Sequence, residues 1–456
     1  MGCFLSSSNQ DGIGNPKQVR QTARKLYQEG VQCLNKKTPQ KAIETFLNAA
    51  DIDIRVNFKQ TEFSFECFNK IGEIYFKEGD YLKASLYLKY LLDYYGCRNA
   101  IEQGTFVKEY AKTYKDLSKI YLQKKKRIKA YFFLQLGLAF VNEQSTLENE
   151  IVSSFTQEEK QVIKEIRKEL TAALAIIEKN KHDDNDTAER YVEVGKRLVD
   201  LGRPADSLIF FKRALDYYTV KNFENPKYGE WIGLVYYETG QAYRDRGNQK
   251  KATLYLSLAK ELVRSIETNR NMVNAYHERS LKKLSESDKA TSETLTREKL
   301  KIHNEIAQNE TETSDVYFSY LVIGKDLNEC GKYDQAFIYL NRAYDFASFK
   351  SYHDSSFGEF FGEIALNLGK SYFGKKKFVE AQFFIERSIH LLHEPLRTEA
   401  ASQLSSLNSE LNHLGKSSIM SNLTHKTIEK RAQRADHSHF KKILPKSYLD
   451  HPPNKT

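Results

Sequence analysis

Cysteine, proline, glycine and tryptophan are all scarce in this chain, whose 456 residues include 5 Cys, 8 Pro, 22 Gly and 1 Trp. So few glycines and prolines exclude a collagen-like chain and disfavour sandwiches and barrels, which need many tight turns. The chain is also longer than the roughly 250 to 300 residues at which a single core stops growing. We therefore expect long helices, arranged as several domains or as an extended repeat array.

The cysteines are odd in number and form no CxxC pair, so neither a disulfide framework nor a zinc cage is expected. They are Cys3, Cys33, Cys67, Cys97 and Cys330. Long apolar runs are missing too, since the richest, residues 131–141, is shorter than the roughly 18 to 20 residues that span a bilayer. These absences predict a protein of a reducing, intracellular compartment without a transmembrane helix.

A repeat runs through most of the chain. Seven times, a small residue is followed twelve positions later by Ala or Ser. The pairs are Gly30/Ala42, Gly72/Ala84, Ser118/Ala130, Gly195/Ser207, Gly240/Ala252, Gly324/Ala336 and Gly369/Ala381. Apolar residues recur around them at helical spacing, and breaker-rich segments such as Cys330-Gly331-Lys332 separate the two halves. Each unit is therefore predicted to be a helical hairpin in which the small residues let two helices approach closely.

This pattern resembles the tetratricopeptide repeat (TPR) family over residues 21–393. The small residues here lie 42 to 46 positions apart, with two gaps of 77 and 84, against a period of about 34 in that family. The longer helices are similar to those of LGN/Pins and rapsyn-type scaffolds, although the cysteine-rich zinc module of rapsyn has no counterpart. The resemblance implies an all-α, right-handed solenoid of about seven hairpins that binds protein partners without catalysing a reaction.

The two wide gaps and the chain ends complete the predicted organisation. It comprises a flexible N-terminus (1–20), repeats one to three (21–142), a charged helical insertion (143–186), repeats four and five (187–265), a charged helix or mobile insertion (266–312), repeats six and seven (313–395), a capping helix (396–414) and a basic disordered tail (415–456). In the first insertion, Thr156 and Glu159 have the spacing of a helix capping box. An apolar stripe from Ile163 to Ile177 follows, so this helix is expected to pack along the array.

The first residues match an acylation signal. Met-Gly-x-x-x-Ser, with Gly2 and Ser6, is the N-myristoylation pattern, and Cys3 stands where a palmitoyl group would add a second anchor. A single myristoyl chain binds membranes only marginally, which is why Cys3 matters. The alternative is a chance match on a flexible start, since no lysine follows soon after Ser6.

The resemblance further implies that the first helix of each hairpin lines a concave groove. The positions expected to face this groove carry lysine, arginine and asparagine side chains, and these are Asn69, Lys115, Lys119, Lys196, Arg244, Lys325, Asn328 and Lys370. Such donors complement carboxylates, so an acidic peptide is the predicted ligand. The alternative is that lysine is simply a good helix former on a solvated face.

Catalytic and metal signals are weak. Gly369-Lys370-Ser371 and Gly415-Lys416-Ser417 imitate the end of a P-loop, but neither has the glycine required five positions earlier. The pairs His390/His393 and His437/His439 have no further ligands at a recognised spacing. No enzyme activity, cofactor or metal is therefore predicted.

Charge is concentrated at the C-terminus, where residues 416–456 contribute +6 of the net +10. Only Phe440 and Tyr448 offer aromatic rings there, so no series for stacking on nucleic acid exists and nucleic acid is not an expected partner. Taken together, the residues predict a cytoplasmic, non-enzymatic scaffold held at the cytosolic face of a membrane by acyl chains. The alternative is a soluble adaptor of a cytoskeletal, ciliary or polarity complex.

Overall fold

A computed structural model of the chain describes residues 16–57, 59–101, 105–263, 267–281, 302, 305–306, 312–393 and 395–413. These residues form α-helices, two short 3₁₀ turns and connecting loops, with no β-strand among them. The helices are α1 (Pro16–Asn35), α2 (Pro39–Asn57), α3 (Glu62–Lys77), α4 (Tyr81–Ile101), α5 (Val107–Gln123), α6 (Arg127–Val141), α7 (Thr146–Ser153), α8 (Gln157–Glu165), α9 (Arg167–Asn180), α10 (Asn185–Asp200), α11 (Pro204–Glu224), α12 (Gly229–Asp245), α13 (Gln249–Leu262), α14 (Glu267–Leu281), α15 (Ser314–Glu329), α16 (Tyr333–His353), α17 (Gly358–Gly374), α18 (Phe378–Leu391) and α19 (Leu396–His413).

Fourteen of these helices pair as seven hairpins. The pairs are α1/α2, α3/α4, α5/α6, α10/α11, α12/α13, α15/α16 and α17/α18. Each hairpin contains one of the seven small-residue pairs, with the small residue on its first helix and the Ala or Ser on its second. The predicted all-α hairpin solenoid is therefore confirmed, and the architecture is consistent with the TPR family.

Each hairpin turn contains one residue with left-handed backbone geometry, seven positions after the small residue. These residues are Lys37, Gly79, Lys125, Gly202, Gly247, Gly331 and Lys376. Glycine adopts positive φ without steric penalty, whereas lysine does so at a cost of roughly 1 to 2 kcal/mol. The backbone N–H at this position still closes the preceding helix, as where Lys125 N–H donates to the Leu122 carbonyl at 2.8 Å.

Close helix approach explains the small residues. A Cβ atom built on Gly195 would lie 2.3 Å from the Phe211 ring, and one on Gly324 would lie 2.5 Å from Leu340. The Ala or Ser of every pair has no exposed surface. In the third hairpin, where the small residue is Ser118, its hydroxyl donates to the Ala130 carbonyl at 2.7 Å and joins the two helices directly.

The first insertion is helical and packs against the array through α9, which contacts α6 and α10. The predicted capping box is present, because the Glu159 N–H donates to the Thr156 hydroxyl at 3.1 Å while the Glu159 carboxylate accepts from the Thr156 N–H at 2.9 Å. The helix ends at Glu165 and a second begins at Arg167. Ile166, between them, is fully buried, so the apolar stripe continues through the break.

Hairpins that are distant in the chain meet through their second helices. α4 contacts α11, α16 and α18, and α2 contacts α18, so the first two hairpins touch the last one. Asp51 and His390 lie 2.5 Å apart across this closure. The Arg387 guanidinium is buried beside it, with its centre 3.8 Å from the Phe383 ring centre and 4.6 Å from that of Tyr87. The solenoid therefore curls until its two ends are in contact.

The last hairpin is followed by α19, which packs on α18 and α17. Leu404 and Leu407 of this helix are buried against Leu366 and Ile385 of the last hairpin. Such a cap covers apolar surface that a further repeat would otherwise cover. No helix in the described part of the chain is long and apolar enough to cross a membrane. Gly2, Cys3 and the basic tail lie outside the described residues.

Candidate protein-binding site

The lysines predicted to face a peptide contact glutamates of this same chain. Lys325 on α15 bonds Glu363 on α17 at 2.6 Å. Lys370 on α17 pairs with Glu399 on α19. Glu363 lies on the first helix of the next hairpin, and Glu399 lies on the capping helix α19. The prediction thus identified a row of cations along the first helices, and the structure joins these cations to neighbouring acids.

Two further lysines of the predicted set are also paired. Lys196 on α10 lies 3.6 Å from Glu238 on α12, and Lys119 lies 2.9 Å from Asp116 of its own helix. Burial raises the pKa of Glu238, and the Lys196 charge opposes that rise. The hydrogen bond that Lys325 donates to Glu363 raises the pKa of Lys325, and burial of the ammonium opposes this rise. The Lys196 and Lys325 pairs each join two first helices, and the Lys119 pair lies within one helix. Solvent screens these charges, so each pair contributes little to stability.

The predicted polar groups have mixed environments. The Asn328 side-chain amide donates to the Asn367 carbonyl at 2.9 Å, and its oxygen accepts from the Ser371 hydroxyl at 2.6 Å. Arg244 bonds Asp245 at 2.9 Å and stacks over Tyr276. Asn69 is half-buried on α3. Peptide binding by the predicted set as a whole stays a prediction.

The arrangement of the helices differs from the one that the resemblance implies. Among the described residues, the contacts between distant hairpins are made mainly by second helices. Of the first helices, α3 also reaches distant hairpins, through Phe65 against Tyr352 and Phe68 against Arg387. The cause is visible in the residues, because the second helices carry large aromatic side chains that pack across the middle, such as Phe383 against Tyr87 and Tyr90. Helical periodicity locates these rings on a face but does not say what that face meets.

A partly buried ionic cluster lies where α4, α11 and α16 converge. Lys212 of α11 bonds Asp345 of α16 at 3.0 Å and also pairs with Asp216. Asp93 of α4 lines the same small cavity. Burial raises the pKa of Asp93 to about 7, opposed by the nearby Lys212 charge. Burial alone would lower the pKa of Lys212, but the surrounding carboxylates raise it well above its ordinary value.

A second buried network joins hairpins four, five and six, and hairpin four contributes Asn222 of α11, whose side-chain amide donates to the Glu312 carbonyl at 3.3 Å. Glu312, two residues before the start of α15, accepts hydrogen bonds from the hydroxyls of three tyrosines, each within 3.0 Å. These tyrosines are Tyr236 of α12 and Tyr317 and Tyr320 of α15. Arg342 of α16 adds an ion pair to Glu312 at 2.8 Å. The Glu312 carboxylate and the tyrosine hydroxyls are satisfied within the network, whereas Arg342 Nε has no hydrogen-bond partner. We infer that the network is structural and holds the hairpins together.

One part of the predicted lysine row lies beside an open groove. The groove is formed by α5, the end of α6 and Lys181 after α9, and has a volume of about 820 Å³. We call it the α5–α6 groove. Its rim carries Lys108, Lys112 and Lys115 from α5 as well as Lys181. Its floor is apolar and includes Leu138 and Val141.

The groove exists because of the first insertion. Where no insertion intervenes, the first helix of a hairpin packs directly onto the preceding hairpin, as α12 packs on α10 and α11, and α17 on α15 and α16. After the third hairpin, α9 takes that place and packs on α6 and α10. Among the described residues, α5 therefore packs mainly on α4 and α6.

The weak catalytic and metal signals have ordinary structural surroundings. Gly369-Lys370-Ser371 lies inside α17, where a Cβ on Gly369 would lie 2.4 Å from Ile385. Ser371 donates to the Asn367 carbonyl within the helix. His390 meets Asp51 and His393 lies near Glu359, and the described residues contain no cluster of three or more potential metal ligands.

No family model and no curated protein matches this chain. Similar solved structures include the TPR domain of P58(IPK), which is 13% identical, with 86% of this chain and 99% of that one covered and a TM-score of 0.22. A circular tandem repeat protein with novel repeat topology and enhanced subunit contact surfaces is 12% identical over 92% of each chain, with a TM-score of 0.25. At such scores the chains do not superpose well, and the assignment of the repeat rests on the hairpins of this chain itself.

Proposed function

We propose that the protein is a non-enzymatic scaffold that binds protein partners and is tethered to the cytosolic face of a membrane through Gly2 and Cys3. The observation that carries the binding role is the hairpin array. In such arrays each unit contacts mainly its neighbours, and the extended surface that results is the part used for partners. Lys108 and Lys115 of α5, which form no ion pair among the described residues, support a partner with an acidic segment.

The tether is supported by the Met-Gly-Cys start and its Ser6. Dual acylation would give stable attachment where one chain would not. A scaffold confined to a membrane raises the effective concentration of its partner beside membrane targets. Lys17, Arg20 and Arg24 follow closely and would add attraction to anionic lipid.

Membrane fractionation of cells expressing the full chain tests the tether. Wild-type protein is expected in the membrane fraction, Gly2→Ala in the soluble fraction, and Cys3→Ser in an intermediate distribution because one acyl chain is lost. Equal partition of wild type and Gly2→Ala would instead favour the soluble adaptor. The folded state of both variants can be checked by circular dichroism, since neither residue lies within a helix of the described chain.

A further inference from the structure

We propose that the α5–α6 groove is the docking site for an acidic segment of a protein partner, with an apolar side chain of that segment seated on the groove floor. This inference rests on the proposed function, because it names the place and the chemistry of the partner that the scaffold binds. It narrows the predicted binding site from cations on five hairpins to the third hairpin alone.

The charge of the groove favours an anion. Four lysines border it, Lys108, Lys112, Lys115 and Lys181, against two acids, Glu109 and Glu143, so the lining carries a net positive charge. α5 also begins here, and Phe106 at its N-cap provides no side-chain cap. The partial positive charge of that helix terminus therefore adds to the lysines.

Lys115 separates this groove from the rest of the first-helix row. Lys196 and Lys325 have glutamate partners on adjacent first helices, whereas Lys115 has no acidic partner within the described residues. Lys108 is exposed on the same helix. Lys112 does bond Glu73 at 2.6 Å, but half of its side chain stays accessible to solvent. An incoming carboxylate thus finds cations here that need not first release an acid of this chain.

The floor of the groove supplies the apolar part of the recognition. Leu138 and Val141 of α6 and Ala111 of α5 line it, and Gly137 lets the two helices approach. A Cβ on Gly137 would lie 2.8 Å from Tyr114 and 2.9 Å from the Ala111 carbonyl oxygen. A volume of about 820 Å³ lies within the range of roughly 300 to 1,000 Å³ that ligand pockets occupy. This is room for an extended or helical segment of a few residues.

The chemistry argues for a peptide over other anions. Nucleic-acid recognition on single strands needs exposed rings for base stacking, but Phe140, the aromatic residue at the floor, is fully buried. A lipid headgroup would satisfy the lysines and leave the apolar floor without a role. An acidic peptide with one apolar side chain uses both parts of the groove.

The test measures binding of a short fluorescein-labelled peptide built of Glu and Leu to the full chain by fluorescence anisotropy. The groove variant is Lys108→Glu with Lys115→Glu. A matched control, Lys164→Glu with Lys168→Glu, makes the same change in net charge at exposed positions on α8 and α9. The groove variant is expected to bind at least tenfold more weakly, and the control within about twofold of wild type.

Three results would overturn the inference, and they separate it from the proposed function. If the groove variant binds like wild type while Lys325→Glu with Lys370→Glu loses binding, the acidic partner stands but docks elsewhere. If the wild type does not bind the Glu/Leu peptide, both the groove and the acidic partner are wrong. If the groove variant binds phosphatidylserine vesicles more weakly than wild type does but binds the peptide equally well, the groove is a lipid contact. Equal thermal melting of the variants excludes unfolding as the cause.

Discussion

Glu312 and Arg342 form an ion pair of 2.8 Å that is almost completely shielded from solvent, with 0% and 2% of their side chains exposed. The three tyrosine hydroxyls around Glu312 satisfy the rest of its carboxylate. Glu312 belongs to the end of the second insertion by sequence, yet it joins hairpins four, five and six. The segment that connects hairpins five and six thus contributes a buried residue to the contact among three hairpins.

Removing the Glu312 charge should strongly destabilise the fold. Glu312→Gln leaves the buried Arg342 with only its longer contact to Asp345, at 3.5 Å. Breaking a buried pair costs about 3 to 5 kcal/mol. Glu363→Gln is the matched control, because its pair with Lys325 is 21% and 40% exposed and should contribute about 0 to 1 kcal/mol. Urea unfolding followed by circular dichroism measures both. Similar losses for the two variants would contradict the role assigned to burial.

The contact at Gly195 should not tolerate even a methyl group. Gly195→Ala places a Cβ 2.3 Å from the Phe211 ring, so overpacking should destabilise the protein by about 1 to 3 kcal/mol. Gly72→Ala is the control, since its nearest contact would be 3.4 Å, to Tyr87. Alanine is also the better helix former by roughly 1 kcal/mol, so this variant should be neutral or slightly more stable. Thermal melting compares the two, and equal destabilisation would contradict the close-packing account.

Glycine should stabilise the turn of the third hairpin. Lys125 has φ 56, a left-handed conformation that glycine adopts without strain. After the greater freedom of glycine in the unfolded chain is subtracted, Lys125→Gly should raise stability by up to about 1 kcal/mol. Lys124→Gly, at φ −77, is the control and should be destabilising. Chemical denaturation measures the stability of both variants. A loss of stability in Lys125→Gly would contradict the claim that the backbone at Lys125 is strained.

Stability should depend on the protonation of Asp93. Burial raises its pKa to about 7 in the folded chain, above the value of about 4 in an unfolded one. The folded state therefore holds this proton where the unfolded state has lost it, and the contribution of Asp93 to stability falls as the pH rises from about 4 to 7. Asp93→Asn cannot ionise, so its stability relative to wild type should increase between pH 5 and pH 8.

Denaturation midpoints measured across that pH range test this prediction. Asp200→Asn, at an exposed position on α10, is the control and should keep the wild-type profile. An advantage of Asp93→Asn that shrinks as the pH rises would contradict the assigned direction of the pKa shift. The size of the effect will also include Asp216 and Asp345, whose charges raise the pKa of Asp93 further.

The hairpins could be predicted from sequence because their determinants are local. Gly195 and Ser207 stand on helices joined by one short turn, and their separation is the same in all seven units. A left-handed turn conformation could be predicted where the position holds glycine, as at Gly79. It could not be predicted from residue type where the position holds lysine, as at Lys125. Once the register is known, the constant offset from the small residue would have located it.

Contacts between distant hairpins could not be predicted from local sequence patterns. Nothing in the spacing near Asp51 or His390 indicates that they meet, because the closure depends on the summed curvature of the array. The pairing of Lys325 with Glu363 left a weak signal, since the two residues are about one repeat apart. The openness of the α5–α6 groove follows from how the insertion packs, which helical periodicity alone does not determine.

The claim that the scaffold is tethered to a membrane is tested most directly by the intact mass of the N-terminal peptide from protein made in eukaryotic cells. The account predicts loss of Met1 and a mass increase that matches a myristoyl group on Gly2, with a hydroxylamine-sensitive thioester on Cys3 in part of the material. An acetylated or unmodified Gly2 would contradict the tether.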